Sequence, residues 1–98
     1  MHSRCPLLLV LLTLALAAQL APAQQDQERR LLANKLAQQA TEAFEKSDYA
    51  KAEQLLRRQL VLQPGNFVIM YNLGCALAMQ GESEQAADFI VRAVEHGF

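Results

Sequence analysis

Beyond the opening residues, Cys75 and His96 are the chain's one cysteine and one histidine, its best means of nucleophilic or general-base chemistry. A Cys–His pair works when the imidazole takes the thiol proton and a third group orients the ring. Here the periodicity puts Cys75 and His96 on different predicted helices, and no third residue stands ready to orient His96. A protein zinc site takes three or four ligands, so one cysteine and one histidine fall short. The four glycines are isolated turn or packing residues and form no phosphate-cradling loop. Most carboxylates lie on polar helix faces beside basic partners, Glu53 four residues before Arg57 and Asp88 four before Arg92, as on a solvated surface. The expectation is a protein that is not an enzyme and holds neither cofactor nor metal. Cys75 then reads as a small buried hydrophobe.

Nine basic against ten acidic residues leave a net charge of −1. The charges are interspersed, without the basic face that a nucleic acid or a membrane surface requires. The opening differs in composition from everything after it. Met1-His2-Ser3-Arg4 is short and positive, Leu7 to Leu20 is almost unbroken apolar, and Ala21-Pro22-Ala23 offers small residues where a signal peptidase reads. These are the three parts of a secretory signal peptide spanning residues 1–23, cut between Ala23 and Gln24. The apolar run is shorter than the about 20 residues of a spanning helix. A secreted or periplasmic protein without a stable membrane anchor is therefore expected, its domain occupying residues 24–98. Loss of Cys5 with the leader leaves Cys75 without an intramolecular disulfide partner.

Within that domain, apolar residues recur at helical spacing. Leu32, Leu36, Ala40 and Ala43 mark a long first helix from Gln24 to Lys46, with the acidic lead-in suited to its start. Ser47-Asp48 ends it and caps a second helix from Tyr49 to Val61 or Leu62, striped by Ala52, Leu55, Leu56, Gln59, Leu60 and Leu62. Gln63-Pro64-Gly65-Asn66 is a turn by composition, and Asn66 can cap the helix that follows. A third helix spans Phe67 to Gln80 and stops at Gly81. Ser83 opens a fourth, striped by Ala86, Ala87, Ile90, Val91 and Val94. The fold class is all-α, four helices and no strand.

An offset of 34 residues brings the two halves into register: Leu36 falls on Met70, Ala40 on Gly74, Ser47 on Gly81, Ala52 on Ala86 and Leu56 on Ile90. A fixed period of this length marks stacked helical hairpins, each burying its apolar face on its neighbour.

The second half reads Met70-x-x-Leu73-Gly74-x-x-Leu77 and then Ala86-x-x-x-Ile90; the first reads Leu36-x-x-Gln39-Ala40-x-x-Ala43, then Tyr49, Ala52-x-x-x-Leu56 and Pro64. In these positions, and in Tyr71-Asn72-Leu73-Gly74, the chain resembles the tetratricopeptide repeat (TPR). Repeat one covers about residues 33–66 and repeat two about 67–98. Gln39 and Gln59 depart from the family's Leu and Ala; either they hydrogen-bond to each other across the first hairpin or that edge is wet. The resemblance implies a two-repeat α-solenoid whose first helices line a concave groove for a peptide or partner helix. That groove would comprise Asn34, Ala37, Thr41, Phe44 and Glu45 from repeat one and Val68, Tyr71, Cys75, Ala78 and Met79 from repeat two. Asn34 and Thr41 would meet the partner's backbone amides. Ala37 and Thr41 stand where one subclass of the family carries a clamp for acidic tails, so that role is not expected; Asn72 alone does not restore it.

The expected function is an exported adaptor. Two readings compete with it: an amino-terminal accessory domain of a longer exported enzyme, and a self-associating structural subunit. Both draw on the shortage of repeats, since two leave end faces uncovered where about three normally suffice.

Overall fold

The computed structural model describes residues 22–97. Four helices follow in order: α1 (Pro22–Glu45), α2 (Tyr49–Leu62), α3 (Phe67–Met79) and α4 (Ser83–His96), with no strand among the described residues. Links of three or four residues reverse the chain between helices, and α1 packs on α2, α2 on α3 and α3 on α4. The all-α helical-hairpin arrangement expected from the sequence is the one observed.

Helix α1 is described from Pro22, ahead of the expected Gln24. Asp26 makes an exposed ion pair with Arg29 at 3.8 Å. Every residue from 22 to 32 is exposed, and packing begins at Ala33. Of the expected leader, residues 1–21, Ala21 included, lie outside the described residues; Ala23 and Gln24 lie within α1. Phe98 is also outside them.

Two of the turns repeat each other bond for bond. After α1, the Asp48 N–H donates to the Ala43 carbonyl at 2.8 Å and the Ser47 N–H to that of Phe44 at 2.9 Å. After α3, the Glu82 N–H donates to the Leu77 carbonyl at 2.9 Å and the Gly81 N–H to that of Ala78 at 3.0 Å. Both close the helix in the Schellman manner, which needs a left-handed residue. Gly81 supplies it at φ 81°, whereas Ser47 adopts φ 56° with a side chain in place. The caps that follow differ. Asp48 Oδ1 accepts from the Lys51 N–H at 3.2 Å, while Glu82 makes no side-chain cap for α4. At the middle turn, Asn66 Oδ1 accepts from the Val68 and Ile69 N–H groups at 3.0 and 3.3 Å.

Leu36, Leu56, Leu73 and Leu77 fill the core, and small residues let the helices approach around them. Ala52 and Ala86 are buried as the 34-residue register requires. Gly74 marks a close helix crossing: a Cβ there would lie 2.7 Å from Ile90 Cγ1 and 3.1 Å from the Ala86 carbonyl oxygen. At the far end of the same hairpin, Gly97 lies close against the Phe67 ring.

Two expectations for α4 need correction. Only part of its stripe is covered: Ala86 and Ala93 are buried and Ile90 is half-buried, but Ala87 is exposed and Val91 and Val94 are 53% and 56% exposed. Among the described residues no helix follows α4, so half of its apolar face has no neighbour. Nor does Arg92 pair with Asp88. Its guanidinium lies 5.1 Å from the centroid of the Phe89 ring, which Arg57 also approaches at 5.6 Å. An aromatic face competes well for a guanidinium when the rival carboxylate is exposed and screened.

Candidate functional site

The two hairpins enclose a cleft of about 400 Å³ between α1 and α3, with α2 as its floor. Its helices are set by the features just described. The Schellman turn at Ser47 folds α2 back under α1, and the Asn66 cap fixes where α3 begins. From α1 the cleft takes Ala37, Ala40, Thr41 and Phe44; from α2, Leu56 and Gln59. Asn66, Val68, Ile69, Asn72 and Cys75 complete the wall on the α3 side. None of these side chains is charged. Phe44, Val68 and Ile69 give the interior its apolar character, and Phe44 is held by an edge-on contact with Tyr49, ring centroids 5.9 Å apart.

Four polar side chains line this interior, and two are already committed. Thr41 Oγ1 donates to the Ala37 carbonyl at 3.0 Å, a bond back along its own helix. Asn66 caps α3 with its oxygen and donates through Nδ2 to Gln63 Oε1 at 3.3 Å. Asn72 is half-buried. Gln59 is only 8% exposed, and its Oε1 is buried without a hydrogen-bond partner. An acceptor left in that state costs about 1–3 kcal/mol of stability.

Of the residues anticipated from the sequence, Ala37, Thr41, Phe44, Val68 and Cys75 come together in this cleft. Asn34, Glu45, Tyr71, Ala78 and Met79 are exposed on α1 and α3 outside its lining. Of the two residues anticipated to meet a partner's backbone amides, Asn34 lies outside this lining, while Thr41 lies within it and keeps its oxygen as an acceptor after donating its proton to the Ala37 carbonyl. Cys75 is half-buried in the wall rather than sealed in the core. Sequence reading missed Gln59 and Asn72 as cleft residues. Gln59 had left a signal, a polar residue inside the apolar stripe of α2. Asn72 left one too, a polar residue between Tyr71 and Leu73. The Gln39–Gln59 bond is not made, because Gln39 lines a separate recess with Glu42, Lys46 and Lys51 on another face of α1.

Polar contacts outside the cleft lock the second hairpin to the first. Gln80 Nε2 approaches Glu53 Oε1 at 3.0 Å, the Ala76 carbonyl at 3.0 Å and the Tyr49 carbonyl at 3.3 Å, tying the end of α3 to the start of α2. Arg57 Nε donates to Glu53 Oε2 at 2.8 Å and Arg57 Nη2 to Gln85 Oε1 on α4 at 3.3 Å. The Arg57 hydrogen bond, helped by Gln80, holds the Glu53 carboxyl below its ordinary value against an opposing push from burial.

Among the described residues no cluster of three or more His, Cys, Asp or Glu side chains could hold a metal ion. No helix among them is long and apolar enough to cross a membrane. No family model, curated protein or solved structure matches the chain.

Proposed function

We propose that this chain is an exported protein-interaction module of the tetratricopeptide-repeat type, which takes a short uncharged peptide segment in the cleft between α1 and α3. The observation that carries the reading is the cleft itself: a recess of about 400 Å³ with mixed apolar and polar lining and no charged group, walled by two hairpins that their own core holds in place. Its volume lies within the range of small-ligand sites. A lining that mixes apolar surface with three carboxamides suits a peptide, which offers apolar side chains and backbone N–H and C=O groups together. The 34-residue register and the repeated Schellman turns support the repeat assignment, and the charged–apolar–small leader supports export.

The test is peptide display on the immobilised full chain. Recovery of a consensus with an apolar core, lost on Val68→Glu while the circular dichroism stays unchanged, is expected. Binding that ignores Val68→Glu, or the absence of any consensus, would refute the reading.

The exposed Val91 and Val94 on α4 favour a second reading, association of two copies through that face. It predicts a concentration-dependent dimer in sedimentation that Val91→Glu with Val94→Glu abolishes.

A further inference from the structure

Resting on the peptide-binding reading, we propose that the Gln59 carboxamide is a hydrogen-bonding anchor of the cleft, taking one backbone N–H of an extended peptide whose apolar side chain seats against Phe44, Val68 and Ile69. The observation is a juxtaposition. Gln59 lines an uncharged cleft, is more than nine-tenths buried, and carries an Oε1 that nothing in the fold satisfies. Buried acceptors are nearly always paired, so an unpaired one on a side chain that lines a recess points to a donor entering that recess once the carboxamide turns to meet it.

The occupant's conformation follows from what it must supply. A partner helix has spent its backbone N–H groups on itself beyond the first turn. An extended segment keeps its N–H groups free, alternating with side chains that point to opposite faces. Such a segment can therefore present one N–H to Gln59 and an adjacent apolar side chain to the wall. With no charged group in the lining, the contacted residues are uncharged as well. The last torsion of a glutamine is broad and poorly restricted, so the carboxamide can turn toward the ligand without leaving its rotamer.

The experiment uses the full chain and the tightest peptide recovered by display on it. Each backbone amide of that peptide is N-methylated in turn, and affinity is measured for wild type and Gln59→Leu. Expected is a single position whose N-methylation weakens binding about tenfold in wild type and adds nothing in Gln59→Leu, the size of one hydrogen bond to a buried acceptor. Gln59→Leu alone should lose about the same factor while melting at or above the wild-type temperature, since it removes an unsatisfied polar atom. If no position couples to Gln59 although the peptide still needs Val68, the anchor is overturned and the peptide-binding reading stands. Should display recover no cleft-dependent peptide, the reading falls and the anchor falls with it. Were Gln59→Leu to misfold, the wild-type N-methyl scan compared with Gln59→Asn decides in the same way.

Discussion

Gly74→Ala sets two effects of known sign against each other. Alanine in a helix interior is favoured over glycine by about 1 kcal/mol, so a crossing with room to spare would be stabilised by the change. This crossing has none: the added methyl would meet Ile90 Cγ1 at 2.7 Å, the Ala86 carbonyl oxygen at 3.1 Å and Ile90 Cδ1 at 3.3 Å. The first contact is to the body of the Ile90 side chain and the second to backbone, so relief requires α3 and α4 to move apart. Overfilling of that kind costs about 1–3 kcal/mol, leaving a net loss of about 1 kcal/mol. For a domain of this size that lowers the melting temperature by about 4–8 °C. Urea and thermal unfolding of the full chain by circular dichroism read the change, with Gly65→Ala, where a new Cβ meets nothing within 4 Å, as the control. The decisive comparison is with Ile90→Ala, which removes both Ile90 atoms from the clash. In that background Gly74→Ala should become neutral or stabilising, a coupling of about 1 kcal/mol or more. Equal stabilisation by Gly74→Ala with and without Ile90 would refute the close approach of α3 and α4.

Ser47→Gly should raise stability by about 0.5 kcal/mol, because relief of the left-handed serine outweighs the added freedom of the unfolded chain; Gly81→Ser should lower it, and unfolding midpoints moving the other way would contradict the shared turn geometry. Glu53 predicts a pH dependence. Its folded pKa lies below the 4.5 of the free group, so its contribution is complete above 4.5 and fades as pH falls through the folded value. Urea midpoints of wild type and Glu53→Gln should accordingly converge on acidification below 4.5. A gap that widens there would reverse the assigned sign.

The parts of the fold readable from sequence were those fixed by neighbours along the chain. Helical stripes, Asp48 and Asn66 as caps, Gly81 as a stop and the small residues at 52, 74 and 86 follow from local periodicity and the 34-residue register. What escaped depends on neighbours in space. Whether Arg92 turns to Asp88 or to Phe89 depends on a ring that Arg57 shares from another helix. Whether Val91 and Val94 are covered depends on a packing partner that the stripe itself cannot specify. The candidate site divides in the same way. Phe44, Val68 and Cys75 were legible because the repeat places them on facing helices. Gln59 belongs to the floor, and its missing partner is visible only when three helices are seen together.

The central claim, that the cleft between α1 and α3 takes the peptide, is tested most directly at Cys75, which is half-buried in its wall. Full chain carrying Cys5→Ser is treated with a maleimide, and the rate of Cys75 alkylation is followed with and without a saturating concentration of the selected peptide. Occupation of the cleft predicts that the peptide slows the reaction at least severalfold, and that prior alkylation blocks peptide binding. A Cys75 that reacts at the same rate while the peptide is bound would place the peptide elsewhere and contradict the account.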